Sequence, residues 1–383
     1  MSNSTVKSKG AFRIKDWWGK ASLLMGMIYL FTARYHISFE KLLPLAALSL
    51  LTIAGFASMG YLFNDLFDIE KDAIAGKRNF LADKPWFIVV ALFLISATFV
   101  LAPWWFLPKT QVSFILIGIQ ILLFIVYSAP PIRLKERGMA GIVTDALYAH
   151  GLPTFLAAYT YALVADFAFP TADIFILFTW QVLAGIRNIL VHQADDLDAD
   201  KKSGSKNFVA SLTSAKFQEM LIWFTIVELG LGAAFFGFLL TTNLWFALCL
   251  VIILFLSVAD FSFFTEEDTA QFLKSTRKFF PNNIYEKWLP VTYLTVLAIG
   301  DIRFALLLLI HVAVFNFDFY VQTANKIYGL WQSIPFKGYL ILVRIFLSYP
   351  INYFIYYLLR IFGVDLKKEN LSAGAYLKKR WGG

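Results

Sequence analysis

The segment NDLFDIEKDAIAGKRNF, Asn64–Phe80, follows an apolar run, and 128 residues later the plan returns as HQADDLDADKKSGSKNF, His192–Phe208, again just after an apolar run. Aligned without gaps, Asp68 meets Asp196, Asp72 meets Asp200, Gly76 meets Gly204, Asn79 meets Asn207 and Phe80 meets Phe208. Arg78 meets Lys206, which keeps the charge, and Asn64 meets His192, which keeps a polar ligand type. Four residues turn an α-helix by about 400°, so Asn64, Asp68 and Asp72 form one stripe about 12 Å long on a helix that runs out of the membrane. His192, Asp196 and Asp200 repeat that stripe. Two copies in register predict two duplicated halves, each placing its acids at the same membrane face.

Working outward, ten apolar segments are legible: Trp18–Tyr35, Leu42–Asn64, Trp86–Leu107, Val112–Ala129, Ile142–Leu163, Ile174–Val191, Met220–Leu240, Leu244–Phe264, Leu289–Phe315 and Tyr339–Val364. A bilayer-spanning helix uses about 20 apolar residues. The chain is 383 residues long and 59% apolar, enough for ten such spans with little left over. The tenth is interrupted by Arg344, Pro350 and Arg360; it either spans or lies in the interface. The expected fold is all-α: a polytopic membrane bundle of nine core helices in two pseudo-repeated halves, with this tenth segment appended. The expected layout is a tail over residues 1–17, the bundle over 18–315 and an extension over 316–383.

Composition agrees. Charged residues are 16% and mean hydropathy is +0.65, against roughly 25% charged residues in soluble proteins. Disorder, a disulfide scaffold and a nucleic-acid partner are excluded. The lone Cys249 sits in an apolar run and reads as packing. No charged-apolar-small cleavage pattern suggests a removable signal peptide. The net charge of +8 is distributed unevenly. With the N-terminus inside, and Lys20 and Arg34 at the ends of the first span counted with the tail and loop they adjoin, 25 lysines and arginines fall in inside tails and loops and 5 in outside loops. That asymmetry predicts both termini and the acidic loops on the cytoplasmic side.

Two facing stripes would bring Asp68, Asp72, Asp196 and Asp200 together, and their repulsion calls for a cation. Hard oxygen ligands that share phosphate oxygens suit Mg²⁺. Gly76 and Gly204 let the chain turn back. Lys77, Arg78 and Lys206 then stand beside the acids, and the whole describes a diphosphate clamp. A third loop, YSAPPIRLKERG, Tyr127–Gly138, offers Arg133, Lys135 and Arg137 on one side of an extended segment. It serves as a positive-inside anchor or as a phosphate contact. Asp65, Glu70, Asp195 and Asp198 lie off the stripes and are expected to be solvated.

These residues resemble the UbiA superfamily of intramembrane prenyltransferases. Asn64, Asp65, Asp68 and Asp72 are similar to its N-D-x-x-D-x-x-x-D motif. Asp196 and Asp200 are similar to its D-x-x-x-D, followed by the G-x-K of Gly204 and Lys206. Tyr127–Lys135 resembles its Y-S-x-P-P-x-R-x-K loop. The resemblance covers roughly residues 15 to 315. It departs at Asn207 and at His192–Gln193, positions that bear on substrate choice. It implies a nine-helix bundle around a lipid-accessible cavity, a polyprenyl diphosphate donor and a small acceptor of unknown type. It also implies Mg²⁺, two ions, held by Asp68, Asp72, Asp196 and Asp200 with support from Asn64 and His192. Arg78, Tyr127, Arg133, Lys135 and Lys206 would contact the diphosphate.

Ionisable groups at membrane depth default to function. Asp145 and His150 form either part of the acceptor site, with Arg187 and His192, or a satisfied interior pair. Glu228, Asp301, Arg303 and His311 are expected to pair among themselves. Phe12–Lys20 mixes aromatics and cations and reads as an interfacial anchor in preference to an acceptor site. The competing class is a transporter built from repeats, with the acids as its cation site. Such sites lie at the bilayer midplane, whereas these acids follow the ends of their spans.

Overall fold

The computed structural model describes residues 10–167, 171–197, 200, 204, 208–240, 282 and 284–321. The eighth and tenth segments, Cys249, Lys206, Asn207 and Asp198 lie outside them. The described residues through Leu240, together with Asn282 and Ile284–Phe315, belong to one packing unit; residues 316–321 belong to a second. Among the described residues there are helices and turns and no strand. In chain order the helices are α1 Ile14–Arg34, α2 Phe39–Ile74, α3 Trp86–Leu101, α4 Gln111–Ser128, α5 Met139–Ala146, α6 Leu152–Val164, α7 Ala172–Asp195, α8 Ser214–Leu240, α9 Leu289–Gly300 and α10 Phe304–Val314.

Five helical stretches are long and apolar enough to cross a membrane: Phe39–Ile74, Trp86–Trp105, Gln111–Ser128, Ala172–Asp195 and Ser214–Gly237. Their outer faces are apolar. On α3, Trp86, Phe87, Val90, Leu94 and Phe99 are exposed, while Ser96 and Val100 turn inward. A soluble helix shows the opposite pattern; a lipid-facing one has no reason to. The protein is a membrane-spanning helix bundle. At its centre runs α1, whose residues from Ala21 to Phe31 include a nearly unbroken buried series and which packs on α2, α6 and α9.

The 36 residues of α2 span about 54 Å at 1.5 Å per residue, well beyond the roughly 30 Å hydrocarbon core. The excess lifts Asn64, Asp68 and Asp72 out on an unbroken helix. The helix ends in a Schellman turn: the Gly76 N–H donates to the Ala73 carbonyl at 3.1 Å and the Lys77 N–H to the Asp72 carbonyl at 2.8 Å. Gly76 has φ +69°, and its repeat partner Gly204 has φ +66°, the left-handed backbone that favours glycine.

A second duplication appears only in three dimensions. A π-helical turn, Leu147–Gly151, joins α5 to α6, and another, Ile284–Trp288, leads into α9. Each carries tyrosine at its second position (Tyr148, Tyr285) and is followed by Leu-Pro (Leu152-Pro153, Leu289-Pro290). A proline at the second helical position has no N–H to give. Each wide turn stands where its helix lacks that donor, and single π turns are frequent at functional sites.

The expected ninth span, Leu289–Phe315, is divided. Asp301 accepts the Arg303 backbone N–H at 3.0 Å and its side-chain Nη2 at 2.6 Å. Aspartate that bonds its own local backbone competes with the helix, and α9 ends at Gly300. The expected pairing of polar groups is also corrected in part. Asp301 and Arg303 do pair, but Glu228 pairs with Arg187 at 2.6 Å. The His311 ring nitrogens lie 3.3 Å from the Ser22 and Tyr29 hydroxyls.

Candidate active site

The first acidic stripe is held by the loop after α4. Arg133 Nη2 donates to Asp68 Oδ1 at 2.5 Å, and Lys135 Nζ donates to Asp68 Oδ2 at 2.5 Å and to Asn64 Oδ1 at 2.8 Å. Arg133 itself is fastened to the Phe67 and Ser128 carbonyls at 3.0 and 3.2 Å and to Glu136; Glu136 also takes Lys71. Burial alone would lift the Glu136 carboxyl, but Lys71 and Arg133 outweigh it and hold the group below its usual range. Burial pushes the Lys135 ammonium down, against the pull of Asp68.

Asp72 accepts from Asn79 Nδ2 at 2.9 Å, and the same amide reaches the Asp65 carbonyl at 2.7 Å. Asn79 thus folds the loop back along its own helix and fixes the Asp72 carboxylate. The sequence reading named no role for it, although it is one of the five repeat identities. Asp65 is a correction. It is not solvated but buried, and Arg13 from the N-terminal segment donates to it at 2.8 Å while lying 4.3 Å over the Tyr61 ring. Glu70 and Asp195 are exposed as expected.

The second stripe begins at the end of α7. His192 is largely exposed, with Nδ1 3.8 Å from Asp196 Oδ2. The Asp200 backbone N–H donates to the Asp196 carbonyl at 2.9 Å, one helical turn on. Lys77 of the first segment reaches Asp196 Oδ2 at 3.2 Å. Tyr127 lies within electrostatic reach of Asp145, Asp68 and Asp200. The Lys77–Asp196 contact brings the two acidic segments to one mouth. Arg78 is exposed.

Among the described residues no three acidic or imidazole side chains stand close enough to hold a metal ion. Both Asp68 oxygens and one of Asp196 face cations instead. In kind, the donors fit a hard divalent cation: carboxylates on two helix ends, an amide oxygen from Asn64, and cations beside them suited to phosphate oxygens.

The expected acceptor residues separate. Asp145 accepts from the Tyr148 hydroxyl, and Tyr148 stands edge-on to Tyr127, centroids 5.2 Å apart. His150 sits in the first π turn, buried, with Nε2 3.4 Å from Asn188 Nδ2. Arg187 reaches His150 through Asn188. It is fully buried, and its guanidinium donates to Glu228 at 2.6 and 3.0 Å, to Asn282 at 2.7 Å and to Asn188 at 3.1 Å, which ties α7 to α8.

The family model for the UbiA prenyltransferase family matches residues 21–284. No curated protein matches the chain. Two solved structures of a UbiA homologue from Archaeoglobus fulgidus are similar to it. The structure bound to GPP and Mg²⁺ is 16% identical, with a TM-score of 0.46 over 80% of this chain and 99% of that one. The structure bound to DMAPP and Mg²⁺ is 15% identical, with a TM-score of 0.46 over 80% and 97%.

Proposed function

The chain belongs to the UbiA prenyltransferase family, and from that membership and the facing acidic segments we propose a Mg²⁺-dependent transfer of a polyprenyl group from its diphosphate to a small acceptor, with release of diphosphate. The observation that carries the reading is Asp68, whose two oxygens meet Arg133 and Lys135. Those are the cations a diphosphate would recruit.

Asp68, Asp72, Asp196 and Asp200 would hold Mg²⁺, with Asn64 beside them and His192 adjoining Asp196. Bound there, the metal supplies Lewis-acid neutralisation of the leaving diphosphate. Arg133, Lys135, Lys77 and, by their repeat positions, Arg78 and Lys206 bind the phosphate oxygens. Charge-assisted contacts of this kind are strong and act where charge builds up as the C1–O bond breaks. Tyr127 and Tyr148, packed edge-on to each other, would supply the aromatic surface that stabilises positive charge at the allylic carbon. The acceptor approaches past Asp145. The charge asymmetry of the loops puts this mouth, and both termini, on the cytoplasmic side.

Purified protein incubated with Mg²⁺ and polyprenyl diphosphates of several lengths tests the reading. Diphosphate release should fall at least about a hundredfold in Asp68→Ala and in Asp196→Ala, as expected when charge stabilisation at a leaving group is removed. Release that survives both substitutions, or survives EDTA, sinks it.

A further inference from the structure

A second set of charges lies inside the bundle, apart from the diphosphate clamp. Lys20 is on α1, Asp145 on α5 and Glu286 in the second π turn. Lys20 acts electrostatically on Asp145, Glu286, Tyr61 and His150. The sequence reading placed Lys20 in an interfacial anchor; the structure turns it inward.

The packing around these groups is specific. A methyl group added at Gly19 would stand 2.7 Å from a Glu286 carboxylate oxygen, so the missing side chain at Gly19 is what lets that carboxylate pack against α1 one residue before Lys20. The Ser22 hydroxyl donates to the Glu286 backbone carbonyl. Across the space, Tyr148 holds Asp145. The two π turns therefore do equivalent work: one positions the Tyr148–Asp145 pair from the first half, the other Glu286 from the second.

Lys20 and Glu286 are only partly exposed, yet among the described residues neither side chain has a hydrogen bond or an ion pair within 4 Å. Enclosed charges are normally in direct contact with a partner, because desolvating them alone is costly. Here each acts electrostatically on the other without direct contact. A second observation is independent of this one. His150 is 2% exposed, and its Nδ1 has no partner.

Resting on the prenyltransferase reading, we infer that Lys20 and Glu286 are specificity residues of the acceptor pocket, and that with Asp145 they select a neutral, hydroxyl-rich head group. A hydroxyl accepts from the Lys20 ammonium and donates to a carboxylate at once. Asp145 and Glu286 already balance Lys20 and Lys287, and Glu228 balances Arg187, so a head group bearing its own carboxylate or phosphate would add an unmatched negative charge. Asp145, nearest Tyr127 and the clamp, takes the proton of the reacting hydroxyl. The oxygen lone pair then forms the bond to donor C1 as the C1–O bond breaks and its electron pair leaves on diphosphate.

The test uses the full-length protein with Mg²⁺ and geranyl diphosphate, and two matched acceptor pairs. Hydroquinone is set against 4-hydroxybenzoate, and glycerol against glycerol phosphate; the arms separate an aromatic from an aliphatic scaffold. The neutral member of at least one pair should be favoured by about tenfold in kcat/KM, the worth of one hydrogen bond to a charged group. Lys20→Met should raise the acceptor KM by a similar factor and leave the donor KM unchanged, Lys20→Arg should restore it, and Glu286→Gln should narrow the neutral-over-anionic ratio. Preference for the anionic member in both pairs overturns the inference, as does an acceptor KM unmoved by Lys20→Met and Glu286→Gln. So does failure to prenylate any of the four while geranyl diphosphate still raises Tm. If the variants do not fold, the wild-type ratio decides alone. Loss of the geranyl diphosphate shift in the wild-type protein is a different result and speaks against the prenyltransferase reading itself.

Discussion

Lys77, at the end of the first acidic segment, reaches Asp196, near the start of the second, with Nζ 3.2 Å from Oδ2. The contact spans the two repeats, yet both side chains are more than a third exposed, and exposed ion pairs contribute about 0–1 kcal/mol. It does little to hold the halves together. What it does is keep a cation at the mouth where a diphosphate would arrive. Lys77→Met should therefore shift Tm only slightly, while the KM for a polyprenyl diphosphate rises about fivefold to tenfold, as for loss of one charge-assisted contact. A large fall in Tm with an unchanged donor KM would mean the pair is structural.

Arg187 is the opposite case. Both it and Glu228 are fully buried, and they meet through two hydrogen bonds. Removing one partner strands a charge in the interior, so Arg187→Met should destabilise the protein by about 3–5 kcal/mol. The double substitution Arg187→Met with Glu228→Leu should recover most of that loss, since a buried pair replaced by apolar groups is often neutral. Denaturation in detergent micelles measures both. Equal destabilisation by the single and double variants would refute this account of the Arg187–Glu228 pair.

The contrast between these residues shows what was legible in the chain. Helical spacing alone put Asn64, Asp68 and Asp72 on one stripe, and the repeat alone marked Gly76 and Gly204 as turns; both are local properties, and both hold. Asp65 was misjudged because its partner, Arg13, is 52 residues away. The Arg187–Glu228 pair is not legible because its members are 41 residues apart. Lys20 read as part of an anchor because nothing in its neighbourhood says that Glu286 will pack on Gly19. Periodicity reveals which face a residue shares, and it is silent about the element that later covers that face. The split after Gly300 is hidden for a different reason: Asp301 and Arg303 bond each other locally, and two charges in an apolar run are compatible with a single span.

Sidedness can be checked directly. In a Cys249→Ser background, Lys109→Cys lies between the helices α3 and α4, and Arg137→Cys lies between α4 and α5. One apolar helix separates the two positions, so they belong on opposite faces of the bilayer. The excess of basic residues puts Arg137 inside. A membrane-impermeant maleimide added to intact cells should label the cysteine at 109 and spare the one at 137. The reverse pattern would invert the topology, and labelling at both positions would refute the span between them.

The tail of the donor leaves its own prediction. A cavity of about 50 Å³ is lined by Leu24 and Ile28 of α1, Thr52 and Phe56 of α2, and Ala157 and Thr160 of α6, among others. Along α2 its lining lies 12 to 19 residues from Asp68, about 18–28 Å at the helical rise. A geranyl chain anchored at the clamp is too short to fill that depth; chains of several more isoprene units are not. Ala157→Phe should therefore leave geranyl diphosphate binding unchanged and weaken geranylgeranyl and longer diphosphates by at least about tenfold, since each buried methylene displaced is worth about 0.8 kcal/mol. Overpacking also destabilises, by about 1–3 kcal/mol, so the two donors must be compared within the same variant. Equal weakening of short and long donors would show that the substitution disturbs the clamp instead, and an unchanged affinity for long chains would show that the tail runs elsewhere.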